Sequence, residues 1–399
     1  MPFEHYSATR PFIAQREDYC HPEPESLAVD RARLSSLIAR AGREVAEGLL
    51  PAAQLALASR GELVCLISYG ACTGESLFSV FSATKALTSA LVWRELGRGR
   101  LRLDTRVADL IPEFASHDKG AVTVLHLLTH TAGFPYAPFR PADWLDPERR
   151  QARFAQWRLD WPPGTRYEYH PTATMWVLAE LIERVSGEDF RLLLRREVLD
   201  PLGLKHLYVG SVPDAVHAKV VDCCSVGEPL SSAELARLGL PDPADSEVSE
   251  DVILNFNRPE TRAIGVPGGG AVGGAGEFAL FYQALLPAGG ESSLWSTDTL
   301  ASAQSVHSGE LKDPVFKKHA NRGLGLVVAG DGDRIYRGFG QSCSASAFGH
   351  NGAGGQLAWA DPQSGLSLAW LTSGHDRNPV RQASRGVTLS SLAADCALG

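Results

Sequence analysis

The sequence predicts an α+β domain, in which a largely antiparallel sheet flanked by helices is interrupted by an all-helical insertion. Three observations carry that expectation. Short strand-like runs stand towards both ends of the chain, and the middle is helical with no strand alternation. The 399 residues are 44% apolar, enough to fill sizeable cores.

Taken in order, residues 1–26 are mixed and proline-containing, and read as an arm on the surface. Leu34, Leu37, Ile38, Ala41, Val45 and Leu49 recur at helical spacing and predict a helix over 30–49. Two strands follow, 53–59 and 62–68, joined at Arg60-Gly61 as a hairpin. A helix over 82–97 comes next. Between 105 and 200 the spacing predicts helices at 107–114, 124–129, 172–186 and 189–199, with an aromatic loop among them. The stretch 211–262 is polar, rich in Pro, Asp and Ser and aperiodic, and reads as an extended crossing loop. A helix over 277–286, strand-like runs at 324–329, 334–339, 345–349, 355–360 and 366–372, and a helix over 379–396 complete the chain. The expected organisation is therefore an arm (1–26), a discontinuous α/β sandwich (27–104 and 263–399) and a helical insertion with long loops (105–262).

A net charge of −8 and a pI near 5.9 argue against a nucleic-acid partner or a polybasic membrane anchor. Arg94, Arg98, Arg100 and Arg102 cluster, but they follow a helix and read as its solvated C-terminus. Seven cysteines without a C-x-x-C pair do not form a disulfide framework. The first residues lack a basic segment followed by an apolar one, and no stretch reaches the length of a membrane span, so the cytoplasm is the expected compartment and no membrane is expected as a partner.

The chemistry-bearing stretch runs from Leu77 to Val92, where an apolar run turns helical and carries Ser82 and Lys85 at its start. Residues three apart share a helix face, which brings the Ser82 hydroxyl within reach of the Lys85 amine. A serine hydroxyl is a poor nucleophile near neutral pH; a lysine among Ala83, Ala86, Leu87, Ala90 and Leu91 gives up its proton more readily and can accept the serine's. Backbone N–H groups at a helix start can face a developing oxyanion. The S-x-x-K pattern arises by chance roughly once or twice in a chain of this length. A second copy, Ser116-His117-Asp118-Lys119, lies in a polar stretch ending in glycine and reads as a solvated loop with no burial to shift its lysine.

Two other patterns point to bland readings. Gly268-Gly269-Gly270-Ala271-Val272-Gly273 satisfies G-x-G-x-x-G, but Pro267 precedes it and no β-α-β unit follows, so it reads as a turn lining the cleft. His126 and His130 are four apart, yet no third ligand is visible, and no metal or other cofactor is expected. The absence of G-x-S-x-G disfavours the α/β-hydrolase route.

Four segments taken together carry a resemblance. They are Phe81-Ser82-Ala83-Thr84-Lys85, Val124 to Gly133, Pro163-Gly164-Thr165-Arg166-Tyr167-Glu168-Tyr169, and Phe348-Gly349-His350-Asn351-Gly352-Ala353-Gly354-Gly355. In this order they resemble the serine β-lactamase and penicillin-binding-protein superfamily, in particular the class C β-lactamase-like group with its family VIII carboxylesterases. The resemblance runs from about 30 to 395 and implies a β-lactamase-like fold. It implies Ser82 as nucleophile, with Lys85 and Tyr169 sharing the proton transfers. Tyr169 falls at the tyrosine of Tyr-x-Asn, where its phenol or phenolate would relay protons; a neighbouring ammonium such as Lys85 would have to lower its pKa from about 10 for it to act as a base near neutrality. Tyr167, two residues away on the same side of an extended segment, is the competitor. The backbone N–H groups of Ser82 and Ala353 would form the oxyanion hole, and His350, Asn351 and Gly352 would bind substrate in the place of Lys-Thr-Gly.

This chain departs from the pattern at two places. Pro171 stands where an asparagine is usual and offers no side-chain amide. His350 carries little fixed charge near neutral pH, so a strong demand for a substrate carboxylate is not expected. Both departures favour small to medium carboxylic esters. The alternatives on the same machinery are a D-amino-acid amidase or peptidase, a β-lactamase or an acyltransferase; outside enzymes, Pro171 keeps open a silent relative that binds an acyl ligand. Phe134, Tyr136, Phe139, Trp144, Phe154, Trp157 and Trp161 crowd one stretch, half of them as insertion core and some as walls of an apolar cleft.

Overall fold

Alternating small and large side chains set the centre of the molecule. The structure, a computed structural model, describes residues 17–241, 248–286 and 294–398. Strand Ala52–Ser59 is buried along its whole length. Its period of two puts Ala52, Ala56 and Ala58 on one face and Ala53, Leu55 and Leu57 on the other. The same segregation recurs in Leu357–Asp361 and Leu366–Thr372: Ala358, Ala360 and Ala369 join the first face, Trp359, Leu368 and Trp370 the second. Alanines let helix Ala275–Gln283 approach closely and seat Phe278, Phe281 and Tyr282 there, while the larger residues on the other face meet helices Arg31–Ala46 and Pro379–Asp395.

The sheet has seven antiparallel strands. In spatial order they are Tyr19–Cys20, Glu62–Gly70, Ala52–Ser59, Leu366–Thr372, Leu357–Asp361, Phe348–Gly349 and Val327–Val328. Leu55 faces Trp370 and Ile67 in register, and a bulge at Leu57/Ala58 adjusts the hairpin before Arg60-Gly61. A four-stranded sheet orders Tyr208–Val209, Ala271–Gly273, Leu77–Ser79 and Val220–Val221, and Gly374–Asp376 pairs in parallel with Cys224–Val226. The mixed fold with its largely antiparallel sheet is the one the sequence predicts. The core on the alanine face runs on into helix Ala173–Ser186 and the aromatic stretch before it, through Leu87, Trp176 and Phe114.

Several local expectations are corrected. Residues 17–26 contribute an edge strand and a 3₁₀ turn, Pro24–Leu27, in place of a surface arm; 1–16 lie outside the described residues. The run 334–339 is not a strand but sits in a 3₁₀ segment, Gly332–Arg337, because the Asp331 carboxylate accepts from Asp333 N–H and caps it. The stretch 211–262 holds helices Asp214–His217, Ser232–Leu238, Glu250–Leu254 and Pro259–Ile264 besides its strands, each too short to show a period. The arginine cluster is paired, not merely solvated: Arg94 and Arg98 bond Glu197, and Arg100 bonds the buried Glu95. Most of the aromatic stretch is core, since Phe134, Phe154 and Trp157 are buried against one another and Phe114, and Trp144 is buried against Trp176 and Phe190, while Tyr136 is exposed. No helix among the described residues is long and apolar enough to cross a membrane.

Candidate active site

Ser82 stands in a 3₁₀ turn, Phe81–Ala83, and the α-helix Thr84–Gly97 begins two residues after it. Phe81 has φ +46°, a left-handed backbone that a bulky side chain adopts only under constraint. The constraint is visible. Thr84 donates from its hydroxyl to Phe81 O and accepts from Ala271 N–H, Val80 N–H donates to Ala271 O, and Thr88 donates to Pro267 O. The glycine-rich loop is thus tied to the turn that carries Ser82.

Lys85 is completely buried. Its Nζ lies 3.2 Å from Ser82 Oγ and donates to the carbonyls of Pro171 at 2.7 Å and Gly268 at 2.8 Å. Burial, and secondarily the Arg322 guanidinium, hold its amine well below the usual lysine range. Tyr169 packs beside it, with Lys85 Nζ 5.1 Å from the ring centroid, and its phenol lies close enough to the Ser82 side chain to be eased by it. Tyr169 keeps some exposure, yet the packed atoms around it hold its phenol above the ordinary value, partly offset by the Ser82 hydroxyl and Arg322. A phenol lowered by Lys85, the condition for Tyr169 to act as a base, is not what the surroundings produce.

The two tyrosines have separate places. Tyr167 is buried and accepts from Arg322 Nη2 at 2.6 Å and Nε at 3.0 Å, whereas Tyr169 meets Ser82. His130, with φ +57°, lies against Tyr169 with its ring tilted and the centroids 4.8 Å apart, and accepts the His170 N–H on its Nδ1. Its helical partner His126 instead accepts from Thr123 N–H in a capping box, so the two histidines do not converge. Among the described residues no group of three or more His, Cys, Asp or Glu could hold a metal ion.

His350 is buried, with its ring 6.1 Å from that of Tyr169, and burial holds its imidazole well below 6.5 and therefore neutral. Gly352 passes against the backbone just before the Ser82 turn: a Cβ there would stand 2.2 Å from Val80 O. Asn351 directs its amide towards Gly338. Ala353 opens a 3₁₀ turn and packs in an apolar cluster with Phe81, Cys223, Ile253 and Phe256. That cluster brings the 211–262 stretch, to which the sequence assigned no function, against the residues flanking Ser82.

The second Ser-Lys pair overturns an expectation. Lys119 is buried, not solvated, and burial lowers it to about 8. Its Nζ donates to Ser116 O and Trp157 O, both at 2.6 Å, and to Ser116 Oγ at 3.2 Å. Burial therefore does not separate the two lysines. The serines do: the Ser116 hydroxyl is taken up by Ala155 O, to which it donates at 2.6 Å, while Ser82 lies beside Tyr169.

Residues without a side-chain signature complete the site. Pro171 and Gly268 act through backbone carbonyls, and Arg322 lies in no motif.

The beta-lactamase family model matches residues 37–392. The chain belongs to the beta-lactamase family. Among curated relatives, the esterase/beta-lactamase LipL of Mycobacterium tuberculosis is 25% identical over 320 residues, covering 74% of this chain and 69% of that protein. Esterase EstB of Burkholderia gladioli is 27% identical over 221 residues, covering 48% of this chain and 56% of that protein. Penicillin-binding protein 4 of Amycolatopsis lactamdurans is 33% identical over 215 residues, but the alignment spans only 49% of its length. Among solved structures, a family VIII carboxylesterase superposes with TM-score 0.75 at 25% identity, covering 94% of this chain and 98% of that one. A penicillin-binding-protein homologue from Caulobacter crescentus gives 0.73 at 28% identity, with 92% and 98% covered.

Proposed function

We propose that the protein is a serine hydrolase cleaving small to medium carboxylic esters through an acyl-enzyme on Ser82. The observation that carries this reading is the bonding around Lys85. A neutral amine has two N–H groups and one lone pair; Pro171 O and Gly268 O take the two hydrogens, which leaves the lone pair for the Ser82 proton. Lys85 is then the base, and Tyr169, a neutral phenol beside Ser82, gives its proton to the leaving alcohol and is reprotonated from Lys85. Water reverses the sequence on the acyl-enzyme. The Ser82 and Ala353 N–H groups are the proposed oxyanion donors, Ala353 being packed against Phe81 beside the nucleophile.

Esters are favoured over β-lactams and peptides by what is missing. Position 171 has no side-chain amide to hold a substrate amide, and His350 is neutral, so no fixed charge waits there for a substrate carboxylate. The apolar cluster of Phe81, Cys223, Ile253 and Phe256 suits an acyl chain. Turnover of p-nitrophenyl butyrate, nitrocefin and a D-alanyl anilide tests the reading: the ester should be cleaved much the fastest, and efficient nitrocefin hydrolysis with negligible ester turnover would overturn it.

A further inference from the structure

Arg322 is an unusual cation. Its backbone is fixed on three sides: its N–H donates to Ser308 Oγ, its carbonyl accepts from His307 N–H, and it bridges Val327. Its guanidinium lies 5.3 Å from both the Tyr167 and the Tyr169 ring centroids. Nε and Nη2 share a neutral acceptor, the Tyr167 phenol, and Nη1 is buried without a hydrogen-bond partner. No carboxylate among the described residues forms an ion pair with it. Holding a charge this way is costly, and a buried Nη1 is not presented to a substrate carboxylate. The charge therefore acts inward.

We propose that Arg322 is a positioning residue for the Ser82 reaction, anchored by Tyr167 and supplying to Tyr169 and Lys85 the fixed positive charge that position 350 lacks. The inference rests on the serine-hydrolase reading. An arginine is suited to this because it stays charged at any pH the fold survives, whereas the buried His350 is neutral. The groups facing the relay are Ser82 and Lys85 from the nucleophile turn, His130 and His170 around Tyr169, His350 from the opposite strand, and Tyr167, on which Asp313 also acts. Arg322 opposes protonation of Lys85, His130 and His350 and eases ionisation of Tyr169. Its removal makes both Lys85 and Tyr169 harder to deprotonate, so the sign is the same whichever of them takes the Ser82 proton.

The test follows the rate of Ser82 phosphonylation by a fluorophosphonate across pH. Arg322→Gln should move the rising limb up by roughly one pH unit, the scale of a unit charge at this distance in a partly solvated site. Arg322→Lys should leave it near that of the wild type, and Tyr167→Phe, which frees the guanidinium, should move it the same way by less. A limb that stays put in folded Arg322→Gln, however much the rate falls, makes Arg322 merely structural and overturns the proposal. If Arg322→Gln does not fold, the limb of Tyr167→Phe decides with the same sign. Wild-type protein that takes no label at Ser82 removes the hydrolase reading and this inference together; a labelled wild type with an unmoved limb removes this inference alone.

Discussion

Lys85 Nζ donates to the carbonyl of Pro171 at 2.7 Å, so a backbone oxygen stands where the Tyr-x-Asn pattern leads one to expect an amide side chain. Loss of the asparagine therefore leaves the lysine held. Pro171→Ala keeps the carbonyl, and ester kcat/KM should stay within about threefold of wild type, the scale of a substitution that removes no bond. A hundredfold loss in steady-state assays would mean that the proline ring itself matters.

The two buried lysines should separate stability from catalysis. Lys85→Ala should lower kcat at least about a hundredfold, as removal of a general base does. Lys119→Ala orphans the carbonyls of Ser116 and Trp157 and should cost about 2–3 kcal/mol of stability, while kcat per folded molecule stays near wild type. Urea unfolding beside active-site titration reads both quantities; equal kcat losses would undo the assignment of Ser82-Lys85.

Tyr169→Phe removes the hydroxyl beside Ser82 and should lower kcat by about a hundredfold with the fold retained. Tyr167→Phe should keep most of kcat on the plateau of the pH profile, because its hydroxyl bonds Arg322 and not Ser82. The reverse order would place the relay two residues earlier.

The pH dependence follows from the directions of two shifts. Lys85 sits well below 10.5 in the folded chain, so activity should fall only as pH drops through that lowered value and be complete well below 10.5. Tyr169 sits above 10, so the relay phenol should survive to alkaline pH. For folding, the unfolded chain binds a proton at Lys85 that the folded chain has released, so this group's contribution to stability rises with pH towards 10.5. A kcat/KM profile whose rising limb lies near 10.5 would contradict the neutral-lysine account.

What could be read from the sequence was what residue type and spacing encode. Ser82, Lys85 and Tyr169 are side chains at fixed intervals, and they meet; the short apolar runs at 53–59 and 366–372 marked the central strands because both faces of each are buried. Pro171 O and Gly268 O are backbone groups that any residue could supply, and the Arg322–Tyr167 contact joins positions 155 residues apart. Lys119 misled because its neighbours in sequence are polar, while its ammonium is satisfied by carbonyls brought in by folding. The run 334–339 misled because one capping carboxylate, Asp331, outweighs a short strand-like run.

The central claim is that Ser82 is an activated nucleophile, and covalent labelling tests it most directly. A fluorophosphonate should add once per chain, peptide mapping should place the adduct on Ser82, and Ser82→Ala should abolish it. Wild-type protein that is folded by circular dichroism yet unlabelled beside a reactive control esterase, or labelling that survives Ser82→Ala, would contradict the account.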